Sequence, residues 1–183
     1  MKTLIAVCIP ALLLSACVIH VGHSSAAEDL KHEQLQLQLS AAGLSELTAE
    51  TEAGDLKIIG IKGASQIEVI ADLYSSESRP FTLSLEKQGK AAVLKAVGGA
   101  CIGVCSGPSG YADLLVKVPA ELALTLEDGS GDISIEGLSS DLVINDGSGN
   151  LTVQGGRHLV LEDGSGNASL TRFSGNLTIE DGS

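Results

Sequence analysis

Along most of this chain, apolar and polar residues alternate. From Gln34 the stretch QLQLQLS puts Leu35, Leu37 and Leu39 on one side and Gln36 and Gln38 on the other, the period-two pattern of a half-buried strand. Residues 54–60 (GDLKIIG), 65–73 (SQIEVIADL), 81–87 (FTLSLEK), 91–97 (AAVLKAV) and 113–119 (DLLVKVP) continue it. The pattern predicts a strand in each, the first starting at Gln34. No segment of ten or more residues pairs helical spacing with a cap, so the expected class is all-β.

From Leu124 onward the alternation becomes metrical. Aliphatic pairs two residues apart recur as Leu124/Leu126, Ile133/Ile135, Leu142/Ile144, Leu151/Val153, Leu159/Leu161, Ala168/Leu170 and Leu177/Ile179, their first members spaced 9, 9, 9, 8, 9 and 9 residues. Each pair predicts one short strand with two side chains turned inward. Most residues between them are polar and would face water, with Val143 and Val160 as exceptions. Two kinds of turn alternate. One is variable; the other is always Asp-Gly-Ser, with Asp128, Asp146, Asp163 and Asp181 spaced 18, 17 and 18 residues. The repeat is therefore a two-strand unit of 17–18 residues.

Two architectures carry such a repeat. In a solenoid each unit is one coil, stacked on the next at about 4.8 Å, with the two aliphatic faces meeting across about 10 Å. In a meander or sandwich, Asp-Gly is a good hairpin turn and the same spacing arises. Periodicity alone does not separate them. An invariant corner favours the solenoid, because stacking sets equivalent turns directly on one another.

Composition narrows the picture. With no Trp, two Phe and two Tyr, the core must be aliphatic, and 22 Gly fit many tight turns. A net charge of -12 disfavours nucleic acid, which is held through clustered Lys and Arg. It also disfavours contact between the protein body and an anionic membrane surface.

The beginning of the chain reads as a targeting element. Lys2 precedes an apolar run at residues 4–14, too short to span a membrane, and the run closes on LSAC (residues 14–17). That closure resembles the bacterial lipoprotein signal, in which Cys17 is acylated and becomes the first mature residue; an ordinary cut after Ala26 or Ala27 is the alternative. Several acyl chains anchor stably where one does not. Val18, not Asp, follows the cysteine, and the resemblance then implies the outer membrane. The expected organisation is a signal peptide over 1–16, a lipidated tether over 17–33 and a β-domain over 34–183, irregular over 34–120 and regular over 121–183. Once Cys8 leaves and Cys17 is lipidated, Cys101 and Cys105 remain, in a Gly-rich loop. In an oxidising envelope they are expected to form a disulfide. The pair lacks Cys-x-x-Cys spacing and a nearby His set, which argues against redox or zinc chemistry.

The repeated Asp-Gly-Ser-Gly phrase has a structural and a chemical reading. Gly supplies a positive φ, and Asp and Ser accept hydrogen bonds from backbone N–H groups further along the turn. Aspartates stacked 4.8 Å apart would repel by about 0.9 kcal/mol per neighbour in bulk water, which a turn hydrogen bond of about 1.5–3 kcal/mol offsets. Alternatively Asp128, Asp146, Asp163 and Asp181 are calcium ligands, since calcium takes six to eight oxygens. Against this, Gly131-Asp132 lacks the spacer of calcium-binding nonapeptides, and later copies carry Asn150 and Asn167. No nucleophile elbow or acid–base pair stands alone; the acids recur with the repeat, whereas an active site is unique. A polysaccharide-cleaving β-helix would need a cleft lined by aromatic and basic residues, which this composition does not supply.

The run DLLVKVPAELALTLEDGSGDISIEG (residues 113–137) and its later copies resemble the bacterial "putative adhesin" domains of unknown function, with their GSGDI-x-I and DGSGN-L-x-V strands. The similarity covers roughly residues 44–183 and is strongest after Asp113. It implies a right-handed parallel β-solenoid at the cell envelope, and it carries no ligand residues to transfer. The expectation is an outer-membrane lipoprotein whose solenoid displays an acidic surface for structure or adhesion, without catalysis and without a required cofactor. A calcium-dependent binder and a polysaccharide-acting enzyme are the alternatives. Expected partners are the membrane, through the lipid, an envelope polysaccharide or protein, and a second copy at an uncapped C-terminal coil.

Overall fold

The computed structural model describes residues 19–20, 30–76, 80–99 and 109–182. These form fifteen strands: β1 (Ile19–His20), β2 (Lys31–Ser40), β3 (Glu46–Thr51), β4 (Leu56–Ile61), β5 (Gln66–Ser75), β6 (Phe81–Gln88), β7 (Ala91–Gly98), β8 (Tyr111–Pro119), β9 (Ala123–Asp128), β10 (Ile133–Glu136), β11 (Leu142–Asp146), β12 (Gly149–Gln154), β13 (Leu159–Asp163), β14 (Gly166–Thr171) and β15 (Leu177–Asp181). One sheet runs β1-β2-β5-β8-β4-β10-β12-β14, the other β15-β13-β11-β9-β3-β7-β6.

Consecutive strands of the repeat lie in opposite sheets, and equivalent strands pair in parallel. Leu142 sits between Leu124 and Leu159, and Leu151 between Ile133 and Ala168. This is a solenoid-like stack, not a succession of hairpins. Its interior is the aliphatic cluster that the composition demands: Leu124, Leu126, Ile133, Ile135, Leu142, Ile144, Leu151, Val153, Leu159 and Leu161 are all buried, with Phe81 and Phe173 packed at its margins. Burying each Leu or Ile is worth about 1.5–3 kcal/mol, and the two-sided stacking achieves this in strands of only four to six residues.

The N-terminal region departs from chain order. Residues 46–51 (ELTAET) form β3, a strand the alternation of Leu47, Ala49 and Thr51 could have marked but whose charged flanks obscured it. With β4 it makes a coil that lies between β7–β8 and β9–β10: β3 pairs in parallel with both β7 and β9, and β4 with both β8 and β10. The chain thus builds one rung, leaves it, adds the rung on one side as β7–β8, and passes to the other side through residues 120–122. Leaving requires reversals, so β2–β5, β5–β8 and β6–β7 are antiparallel. Leu35, Leu37 and Leu39 of β2 pack onto the core and close that end of the stack. The first long strand starts at Lys31, not Gln34, and Ile19 and His20 bridge to Gln34 and Glu33.

Candidate functional site

The recurrent corner is held together by contacts between coils. Gly147 N–H donates to Asp128 O (2.9 Å) and Gly164 N–H to Asp146 O (2.8 Å). Gly131 N–H donates to Ser148 O (3.1 Å) and Gly149 N–H to Ser165 O (3.0 Å), so the ladder continues around the bend. The second glycine of each phrase has φ of 132° at Gly131, 144° at Gly149 and 143° at Gly166. A Cβ on Gly149 would fall 1.9 Å from Gly131 O, and one on Gly166 would fall 1.6 Å from Gly149 O. Glycine is therefore fixed twice over, by backbone angle and by the close approach of the neighbouring coil.

Three of the four corner aspartates, Asp128, Asp146 and Asp163, are buried and add nothing to the acidic surface the sequence led us to expect; Asp181 is exposed. Positions 124, 126 and 128 share one parity, as do 142, 144 and 146, and because each strand runs up to its Asp the carboxylate points inward with the leucines. Asp128, Asp146 and Asp163 retain 7%, 1% and 6% of their exposure. They stand in register, with Thr51 next to Asp128 and the exposed Asp181 next to Asp163. The Thr51 hydroxyl donates to Asp128 Oδ1. Burial, then the neighbouring Asp128 and Asp163 charges, push the Asp146 pKa up to about 6, and the nearby Ser148 N–H works against the rise. Burial likewise raises Asp128, with the Thr51 hydrogen bond opposing it. Among the described residues, no three His, Cys, Asp or Glu side chains form a group that could hold a metal ion.

A second ladder does face water, at the Asp or Asn after the second glycine. Asp55 N–H donates to Asp113 Oδ1 (3.0 Å), and Asp132 N–H to Asp55 Oδ1 (3.1 Å). The backbone and side-chain amides of Asn150 both donate to Asp132 Oδ1 (3.0 Å each), and Asn167 Nδ2 donates to Asn150 Oδ1 (3.1 Å). Each side chain thus ties one coil to the next. The change from Asp to Asn along the stack lets the side chain donate as well as accept. These residues act as coil-to-coil fasteners.

The two outer faces differ. On β10, β12 and β14 the rows are Ser134–Thr152–Ser169 and Glu136–Gln154–Thr171, mostly uncharged hydroxyls and amides. On β9, β11, β13 and β15 they are Thr125–Val143–Val160–Thr178 and Glu127–Asn145–Glu162–Glu180, a β-branched stripe beside an acidic one. Val143 and Val160 keep 45% and 43% of their exposure, as the pattern predicts. Among the described residues, the neutralising pair on the acidic row stands at its near end, Lys95 Nζ to Glu50 Oε2 at 2.7 Å. At the N-terminal end, one row stacks His32, Tyr74 and Tyr111, with ring centroids 4.6 and 4.5 Å apart, and Asp72 Oδ1 accepts from the Nε2–H tautomer of His32 at 2.8 Å. Sequence reasoning missed this row. It joins residues 32, 74 and 111, far apart in the chain, through antiparallel register alone.

Cys17, Cys101 and Cys105 lie outside the described residues. His158 has a structural role, its Nδ1 accepting from Asn176 N–H at 2.9 Å. Beside it, Arg157 forms a two-pronged ion pair with Asp141, which lowers the Asp141 pKa.

No family model matches the chain, and no curated protein does. Three solved structures do. The chain is similar to a "putative cell adhesion protein" from Clostridium sporogenes (10% identity, 82% of this chain and 100% of that one, TM-score 0.41). It is also similar to a "putative adhesin" from Parabacteroides distasonis (18% identity, 80% of this chain and 65% of that one, TM-score 0.41). The third is a "putative adhesin" from Bacteroides fragilis (9% identity, 80% and 97%, TM-score 0.36).

Proposed function

We propose that this chain is a lipid-anchored envelope protein whose stacked coils form a non-catalytic display or adhesive module. The observation that carries the reading is the in-register stacking itself. It repeats the same outward residue types from coil to coil at about 4.8 Å. Asn150 and Asn167, Thr152 and Ser169, and Gln154 and Thr171 make one such uncharged, hydrogen-bonding grid. A periodic surface suits a periodic partner, because many weak contacts add through avidity without any deep pocket. An envelope polysaccharide fits the uncharged face best, since it offers hydroxyls at regular intervals and needs no cation to approach a chain of net charge -12.

In this reading the coils wind right-handed, residues 1–16 are removed, Cys17 carries the lipid that holds the protein at the outer membrane, and Cys101 pairs with Cys105. Co-sedimentation of the full chain with purified envelope polysaccharide is the direct test. Retention that is lost when Asn150, Thr152 and Ser169 are changed together to Glu supports the reading. No retention on any envelope fraction defeats it, and release of oligosaccharide would make the protein an enzyme. Labelling intact cells with an impermeant reagent distinguishes surface display from a periplasmic position. Radiolabelled palmitate, with Cys17→Ser as control, tests the anchor. Titration calorimetry with calcium tests the calcium-dependent alternative.

A further inference from the structure

The display role leaves the interior aspartates without an explanation. Three carboxyls at one strand spacing, about 4.8 Å, occupy a column between Thr51 and Asp181, in line with Leu126, Ile144 and Leu161 of the core. Asp128 Oδ2, both oxygens of Asp146 and Asp163 Oδ1 are buried and have no hydrogen-bond partner. No cationic side chain is among the groups that act on Asp128 or Asp146; the further charged group bearing on Asp146 is Asp132, at the corner before β10. Glu127, Asn145 and Glu162 alternate to the opposite face and take no part. Adjacent buried anions whose nearest donors are the Thr51 hydroxyl and the Ser148 N–H are short of hydrogen bonds, whereas a protonated carboxyl both loses its charge and gains a donor aimed at its neighbour.

We propose that the inward aspartate column is a proton-binding ladder, in which carboxyls of successive coils are bridged by protons and the C-terminal coils tighten in acid and loosen as those protons leave. The bridging proton sits on Asp146 and is donated to an oxygen of Asp128 or Asp163, while the Thr51 hydroxyl closes the near end by donating to Asp128. The sign follows from linkage. The Asp146 pKa rises from 3.8 in free solution to about 6 in the fold, so between those values the folded chain holds more protons than the unfolded one. The stabilisation is complete below pH 3.8 and is lost as the pH climbs through about 6.

The test uses the full chain, with 13C-carboxyl-labelled Asp and amide hydrogen exchange at pH 5 and pH 8. In the wild type, the Asp146 carboxyl should titrate near 6, and the protection factors of Ile144 and Leu161 amides should fall at least tenfold from pH 5 to pH 8. Asp146→Asn, which keeps shape and supplies a permanent donor, should abolish that fall; Glu162→Gln, on the outer face, should leave it intact. An Asp146 carboxyl titrating near 4 in the folded chain overturns the proposal, whatever the variant does. So does an equal fall in protection in Asp146→Asn. Calcium added at pH 8 should restore nothing; full recovery of protection with calcium would mean that a cation, not a proton, fills the column, and would equally overturn it.

Discussion

The two ends of this molecule solve the same packing problem with different devices. From β9 to β13 each strand takes parallel partners from the coils on either side, β14 and β15 pair in parallel on one side, and the corner repeats from coil to coil. From β2 to β8 the chain folds back on itself, and antiparallel pairs close the stack at one end. The glycines record the difference. Gly63 and Gly89, in N-terminal turns, have positive φ of 74° and 64° with nothing within 4 Å of a would-be Cβ. Gly131, Gly149 and Gly166 carry positive φ and a carbonyl of the next coil at 2.0 Å or less. A hairpin needs glycine for its angle; a stack needs it for its neighbour.

Substitutions at these glycines should give the widest separation between the two ends. Gly149→Ala must displace backbone and is expected to cost about 4 kcal/mol. Gly63→Ala meets only the left-handed backbone penalty, about 1 kcal/mol. Urea unfolding of both variants checks this, and equal losses would mean that the coils can slide apart to admit a methyl group. Next in size is the core. Ile144→Ala should cost about 3 kcal/mol, and hydrogen exchange should show the loss confined to β11–β15, since each coil rests mainly on its neighbours. Val69→Ala, in the cap, should instead lower protection across the whole stack; uniform loss from both would show that the coils unfold as one cooperative body.

A smaller effect is expected from the interior column. At pH 8, Asp146→Asn should raise stability by about 1–2 kcal/mol, by replacing orphaned acceptors with a donor–acceptor pair. At pH 4.5, where the wild-type carboxyl is protonated, the gain should shrink, because the raised Asp146 pKa of about 6 makes the native fold favour the acid form. Thermal melts at both pH values measure it. The smallest change should come from Val143→Thr on the outer face, within about 0.5 kcal/mol, because the position is half exposed and already flanked by Thr125. A larger loss there would mean that the β-branched stripe is covered in solution.

Much of the C-terminal architecture was legible because stacking rewrites one local solution at every turn. The spacing of Leu124, Leu142 and Leu159, the two-strand unit and the outward valines follow from parity and period. The direction of the aspartates was legible too, had the strand been extended by two residues: Asp128 shares the parity of Leu124 and Leu126. It was hidden because Asp before Gly reads as a turn residue. The N-terminal order was not legible, since nothing local to ELTAET says that a coil built first will be flanked later by β7–β8 and β9–β10. The His32–Tyr74–Tyr111 row was hidden for the same reason, being assembled from strands far apart in sequence.

What the residues determined unaided was local chemistry: which positions alternate, where the chain must bend, how aliphatic the interior has to be, and where glycine is obligatory. Those properties depend on neighbours within a few residues, so they survive in a linear reading. What three dimensions decided was adjacency between coils. Only stacking sets Gly131 O against the Cα of Gly149, aligns three carboxyls without counter-charges, and turns a repeated bend into a buried column, because each of these depends on which rung lies above which.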